Sequence, residues 1–304
     1  MKICFAEDIN REDSGKHKFL KRLAASFLSK GIKIVENNGD ILLHIGRNFS
    51  KFKCKKSVMR VDGLILNKDQ EYEKKNRKIV KSINKSDGVI YQSIFCEKAY
   101  KNFLNINKKS AIIYNGASPS DFLPRNPKNY FLAFCRWRPH KRERQICESF
   151  VSAVNKGLDC DLIVAGEASK EIIHPRIKYI GWIDVLYLKT LLSGAIASIH
   201  LSWLDWCPNS MIESIVSGCP VIYSQSGGSG EVGRGSGVGI GDRQWDYKEA
   251  VSLYNPPPLN EEGIVSALFY LKHKKMESIV REEFHIDNVA NQYLYFFETI
   301  LNEH

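Results

Sequence analysis

Short apolar runs alternate with longer amphipathic stretches along the chain, and this alternation limits the available folds more than any other feature. In the first half KICFAED, IKIVE, GDILLHIG, SVMRVDGLI, DGVIYQS and SAIIYNGA read as strands. Between them, HKFLKRLAASFLSKG places Phe19, Leu20, Leu23, Ala24, Phe27 and Leu28 at i, i+3, i+4 spacing, which predicts a helix closed by Gly31. YEKKNRKIVKSINKSD and SIFCEKAYKNFL predict two more helices, the second started by Ser93. Strands that alternate with helices through short connections fold as a mostly parallel sheet with helices on both faces.

The second half repeats the logic. YFLAFC, DCDLIVAG, IKYIGW, AIASIHLS, CPVIYSQ and SGVGIGD read as strands. KRERQICESFVSAVNKG, DVLYLKTLLSG (with Asp184 as N-cap) and NSMIESIVSG read as helices, and three helical patterns follow Pro256–Pro258. Ser118–Asn129 holds three prolines and few apolar residues, which suits a linker. The chain therefore divides into residues 1–122, one Rossmann-like α/β domain, and 123–285, a second. A terminal helix, 286–304, has Val289, Tyr293, Phe296, Phe297 and Ile300 on one face. Two Rossmann-like domains facing across a cleft are expected, with ligands beyond the carboxyl ends of the strands.

Hydrophobic residues make up 43% and charged residues 26%, which suits a globular enzyme and argues against disordered, collagenous or coiled-coil chains. No apolar run approaches the roughly 18–20 residues that span a bilayer. MKICFAEDIN lacks the apolar stretch of a signal peptide, so a cytoplasmic protein is expected. The eight cysteines include no CxxC pair and read as reduced thiols. The net charge of +10 is lopsided: residues 1–125 hold 26 Lys+Arg against 13 Asp+Glu, and the remainder 18 against 21. A basic first half suits an anionic partner, such as the inner membrane face, a lipid phosphate or a nucleic acid, and equally a solvated lysine-rich surface.

Three segments carry chemistry. In CRWRPHKR, Arg136 and Lys141 follow a strand, where such cations can neutralise a diphosphate. In SWLDWCPNSMIESIVSGCP, Asp205 and Glu213 flank a helix start near Asn209 and Ser210, whose free N–H groups and dipole suit an anion. Glu213 could accept from ribose hydroxyls or complement the helix dipole, Asp205 could bind sugar hydroxyls or be an ordinary loop acid, and Trp203 and Trp206 could wall a sugar or pack at the helix entrance. In SQSGGSGEVGRGSG, paired glycines permit close backbone approach, yet neither a dinucleotide fingerprint nor a P-loop is spelled. Asp159-Cys160-Asp161 spells D-x-D but leads into a strand away from these segments. His17 and His44 suit packed positions better than a site. No His/Cys/Asp cluster has metal-ligand spacing.

Together these segments resemble the family 4 glycosyltransferases, which have the GT-B fold. The match consists of Arg136 with Lys141 five residues on, Asp205-x7-Glu213 for an E-x7-E element, Ser217-Gly218-Cys219-Pro220-Val221 closing the helix, and Gly227, Gly228 and Glu231 for a Gly-Gly-x-x-Glu loop. Asp205 stands where the family has Glu. RVDGL, VIYQS and IIYNGAS in the first half look like stretches of some members. Ser14 and Gly15 fall where the family's glycine loop faces the donor phosphates, with one Gly where two are usual.

The resemblance implies transfer of a hexose-type sugar from a UDP- or GDP-sugar with retention of configuration, no divalent metal and no cofactor. It implies that Arg136 and Lys141 hold the diphosphate and Glu213 the ribose. Asp205, Asn209 and Ser210 would hold sugar and phosphate, with Gly227, Gly228 and Glu231 as further donor contacts. Arg60 and Asp62 become candidates for the sugar or for a glycan, lipid-linked or protein-linked acceptor. It also implies that residues 1–122 form the acceptor side, that 123–285 bind the nucleotide sugar, and that the last helix packs back on the first domain. Two other readings use the same residues: a DNA-base glucosyltransferase tracking phosphates with the basic half, and a non-catalytic sugar- or nucleotide-binding relative.

Overall fold

The computed structural model describes residues 1–11, 14–45, 51–168, 170–274, 276 and 281–303. Two residues of the expected first loop (12 and 13), the end of GDILLHIG (46) and the middle of the three C-terminal helical patterns (277–280) lie outside these. Residues 1–118, 246–251 and 282–304 form one compact unit, and 119–245 with 252–281 form the other. Among the described residues no helix is long and apolar enough to cross a membrane.

The first unit contains β1 (Lys2–Phe5), β2 (Lys33–Ile34), β3 (Ile41–His44), β4 (Lys56–Arg60), β5 (Gly88–Tyr91) and β6 (Ser110–Ile112). They pair in parallel in the order β2-β1-β3-β4-β5-β6. β3 and β5 are buried at every residue, which is why they read as unbroken apolar runs. Helices α1 (Gly15–Ser29), α2 (Tyr72–Lys85) and α3 (Ile94–Leu104) connect them. Ser14 and Ser93 cap α1 and α3, each accepting from the N–H three residues on, and Gly31 follows α1 at φ +76°.

The second unit contains β7 (Tyr130–Phe134), β8 (Asp161–Ala165), β9 (Ile177–Tyr179), β10 (Ser198–His200), β11 (Val221–Ser224) and β12 (Gly237–Ile240). Their parallel order is β12-β11-β10-β7-β8-β9. Helices α4 (Glu143–Asn155), α5 (Val185–Gly194), α6 (Asn209–Val216), α7 (Gly227–Val232) and α8 (Glu261–His273) flank the sheet. Asp184 caps α5 as its sequence position indicated. The Gly-Gly-x-x-Glu segment departs from expectation: it is the short helix α7 and not a loop.

The chain then returns to the first unit as α9 (Ile286–Leu301). Val289, Tyr293, Phe296, Phe297 and Ile300 join Phe19, Leu20, Leu23 and Phe27 in that unit's core. Burying each large apolar side chain stabilises by about 1.5–3 kcal/mol, so this face does not remain in solvent. Gly88 makes the close approach possible, since a Cβ there would lie 2.7 Å from the Ile300 Cδ1.

Strand order fixes where ligands can go. In the second sheet the chain builds outward from β7 through β8 to β9, then restarts at β10 on the other flank. The reversal lies between β7 and β10, and loops leaving two such strands diverge and open a crevice at their carboxyl ends. In the first sheet the same reversal lies between β1 and β3.

Candidate active site

The β7/β10 reversal brings together residues that are 64 positions apart. After β7 the chain passes Cys135–Arg138 and makes one 3₁₀ turn, Pro139–Lys141. After β10 it passes Leu201–Pro208 and enters α6. The Lys141 ammonium ion-pairs with the Asp205 carboxylate, with both side chains less than a fifth exposed. Burial alone would neutralise each of them. The partner's charge and hydrogen bond, together with smaller contributions from neighbouring groups, outweigh it, raising the Lys141 pKa and lowering that of Asp205.

Asp205 also organises its own loop. Its other carboxylate oxygen accepts from the Cys207 N–H at 3.2 Å, and its carbonyl accepts from the Gly228 N–H at 2.7 Å. The paired glycines are explained by this contact. A Cβ on Gly228 would lie 2.1 Å from the Trp206 carbonyl oxygen, and Gly227, at φ +58°, would meet the Leu204 Cα at 2.8 Å. The close approach they permit is to the protein's own loop 204–206.

Arg136 and Arg138 are exposed, and neither side chain has a hydrogen bond or ion pair among the described residues. Their neighbour Arg142 differs. Its guanidinium is fully engaged inside the unit by the Asp242 carboxylate (2.8 and 3.0 Å) and the carbonyls of Leu201 and Pro257. It braces the loop and is not available to a ligand.

The α6 start fits an anion geometrically. The Met211 and Ile212 N–H groups both turn back to the Pro208 carbonyl, while those of Asn209 and Ser210 precede any intrahelical acceptor. Glu213 lies in the next turn and is partly exposed. Trp203 is buried and donates to the Arg243 carbonyl at 3.0 Å, and Trp206 is partly exposed. Glu231, in α7, is partly exposed, and its carbonyl accepts from Arg281 at 2.7 Å.

Two buried histidines, His140 and His200, also belong to this region. Burial, reinforced by Lys141, Arg138 and Arg142, pulls the His140 pKa down to about 3, against a smaller upward pull from Asp205. Its Nδ1 is buried without a hydrogen-bond partner among the described residues. His200 is pulled down to about 3 by burial and then by Lys141. It sits among Ser198, Ser210 and Ser214, with the Phe134 ring edge-on at 5.4 Å. The serine spacing around α6 was the available signal.

In the first unit, Ser14 and Gly15 open α1 beyond β1, and the Ser14 hydroxyl is occupied by the cap and by the His17 ring at 3.0 Å. Arg60, at the end of β4, is 1% exposed. It donates to Asp62 (2.7 Å), Gln92 and Asn115, and lies over the Phe19 ring. Asp62 is the exposed member of that network at 42%. His44 is packed against Ser86 at 3.0 Å, and burial lowers its pKa to about 4. The D-x-D carboxylates of Asp159 and Asp161 pair with Arg176 and Lys178. Among the described residues no group of three His, Cys, Asp or Glu could hold a metal ion.

No protein-family model matches the chain, and neither does any curated protein sequence. Solved structures do. Sucrose-phosphate synthase from Thermosynechococcus elongatus aligns with TM-score 0.66 at 14% identity, covering 98% of each chain. HepE of Anabaena, solved with UDP and glucose, aligns with TM-score 0.65 at 14% identity over 98% of this chain and 100% of that one. WaaG, a glycosyltransferase of lipopolysaccharide biosynthesis, aligns with TM-score 0.63 at 10% identity over 98% and 95%. The architecture is thus GT-B over its whole length. Identities this low establish the fold and leave the reaction to the residues.

Proposed function

We propose that the chain is a retaining, metal-independent glycosyltransferase of the family 4 type. It moves a hexose-type sugar from a nucleoside-diphosphate sugar to a glycan, lipid-linked or protein-linked acceptor. The observation that carries this reading is the Lys141–Asp205 pair at the β7/β10 reversal, next to the unpaired Arg136 and the open first turn of α6. A diphosphate needs cations and N–H donors that do not have to be assembled during the reaction, and this loop pair supplies both.

In this reading Arg136 and Lys141 hold the diphosphate, the Asn209 and Ser210 amides cap it, Glu213 accepts from the ribose, and Asp205 faces the sugar. The bond from the anomeric carbon to the phosphate oxygen breaks as the acceptor oxygen attacks the same face, and the departing phosphate takes the acceptor's proton. Positioning and charge stabilisation supply the catalysis. Gly227 and Gly228 act through loop shape, and Glu231 is a secondary donor contact. Ser14 and Gly15 serve the donor from the first domain, and Arg60 holds Asp62 towards sugar or acceptor. Recognition of UDP by the similar fold of HepE supports UDP as the nucleotide to try first. The basic first half supports an acceptor at an anionic membrane surface.

The test is a thermal-shift screen against UDP, GDP, ADP, TDP and their sugars, followed by transfer assays on Arg136→Ala and Glu213→Ala. One nucleotide class should raise Tm by mass action, and both variants should stay folded and lose transfer. Transfer at the wild-type level by both would overturn the site.

A further inference from the structure

Protons can be counted around His200, and the count assigns Ser210 a role. Ser214 Oγ lies 3.0 Å from the Ser210 carbonyl oxygen, which can only accept, so the Ser214 hydroxyl donates there. Ser198 Oγ lies 2.8 Å from Ser214 Oγ. One of the two must supply a proton, and Ser214 has spent its own, so Ser198 donates to Ser214. The Cys219 sulfur near Ser198 is a poor acceptor and does not compete with this bond. Both hydroxyl oxygens are then acceptors only, and both face the His200 Nε2, at 2.9 and 3.3 Å. The imidazole must therefore carry its proton on Nε2.

The ring holds a single proton, because burial and the nearby Lys141 disfavour the imidazolium. Nδ1 is left as a bare acceptor. Its neighbour at 3.4 Å is the Ser210 hydroxyl, which must point its proton inward to the ring. Ser210 is partly exposed, at the second position of α6.

We infer that His200 is held as the Nε2–H tautomer and thereby fixes the Ser210 side chain as a hydrogen-bond acceptor, so that Ser210 reads a hydroxyl of the donor sugar and not a phosphate oxygen. A phosphate oxygen brings lone pairs and no proton, so it finds no partner in a serine whose proton is spent. A sugar hydroxyl brings a proton. The Ser210 backbone N–H remains free for phosphate, so side chain and main chain of one residue separate the two halves of a nucleotide sugar. The ligand half of this inference rests on the function proposed above, whereas the tautomer does not. His200 is a positioning residue in this scheme.

Two measurements test it. The first is ¹⁵N–¹H correlation spectroscopy of histidine-labelled protein between pH 6 and 8. The His200 ring should be neutral with its proton on Nε2, and either the other tautomer or a charged ring overturns the assignment. The second is calorimetry with UDP and UDP-glucose. Ser210→Ala should weaken UDP-glucose roughly 3- to 10-fold, the worth of one neutral hydrogen bond, and UDP by less than about 2-fold. Equal losses for both ligands overturn the sugar-hydroxyl role. If the wild-type protein binds neither UDP nor GDP in either form, the nucleotide-sugar reading and the ligand half of the inference fall together, while the spectrum still decides the tautomer.

Discussion

Asp205→Asn should tighten the binding of UDP, although it removes a residue of the proposed site. The Asp205 carboxylate ion-pairs with the Lys141 ammonium, so a diphosphate binding at Lys141 must displace or share that counterion. Two unit charges about 4 Å apart attract by about 4 kcal/mol at an effective dielectric near 20. Exposed pairs retain about 0.2–1 kcal/mol of this after desolvation, and breaking a fully buried pair costs about 3–5 kcal/mol. The side chains here are 18% and 14% exposed, which places the pair between those limits, at about 2 kcal/mol. Releasing that competition corresponds to roughly 30-fold in Kd. Asparagine keeps an oxygen for the Cys207 N–H and leaves the carbonyl bond to Gly228 intact, so the loop retains its shape. Calorimetry should therefore show UDP bound roughly 10- to 30-fold more tightly. The ligand-free Tm should fall by a few degrees because Lys141 is left unpaired, and transfer should drop because the sugar has lost its acid. An unchanged or weaker Kd for UDP refutes the reasoning and makes Asp205 a residue that orients Lys141 without competing for it.

Three further outcomes follow from the same geometry. Gly228→Ala should destabilise by about 3 kcal/mol or more, since its Cβ would overlap the Trp206 carbonyl, whereas Gly241→Ala, with nothing within 4 Å, should change Tm little. Arg142→Met should cost about 3–5 kcal/mol in denaturant unfolding, because it strands the Asp242 carboxylate at 1% exposure, and Arg142→Met combined with Asp242→Leu should recover part of the loss. The Asp205 pKa is depressed in the folded state. Its contribution is therefore complete above the unfolded value near pH 3.9 and is lost as pH falls through the folded value, so Asp205→Asn should show the shallower decline in Tm below about pH 4.

β3 and β5 were legible because parallel strands buried on both faces leave unbroken apolar runs, ILLH and GVIY. The α6 start was legible because Pro208 and Asn209 break one pattern and begin another. What one sequence could not show was which polar groups spend themselves on each other. Arg136 and Arg142 are the same residue type, six positions apart. One is exposed and unpaired, and the other is consumed by Asp242, which lies 100 positions away. Arg60 and Asp62 looked like equal candidates, yet Arg60 is buried by Gln92 and Asn115, which arrive from the ends of two other strands. The Gly-Gly segment read as a ligand loop because local sequence cannot distinguish close approach to a ligand from close approach to residues 204–206. Each of these distinctions depends on contacts between distant segments, which periodicity and spacing do not encode.

The two neutral histidines show what kind of field the β7/β10 reversal produces. Burial depresses any imidazole, but at His140 the charges of Lys141, Arg138 and Arg142 act in the same direction, opposed only by Asp205. The local potential is thus positive even though residues 126–304 carry more acid than base. A bound diphosphate would reverse that potential and raise both pKa values. From values near 3, protonation at pH 7 requires a rise of about four units, on the order of 5 kcal/mol at each ring. That is more than one screened anion supplies while Lys141 and Arg136 neutralise it. Both rings therefore stay neutral through the binding step. In the proposed mechanism the positive charge opposite the leaving phosphate therefore comes from side chains that cannot lose it at pH 7, and the imidazoles contribute hydrogen-bond direction and no charge.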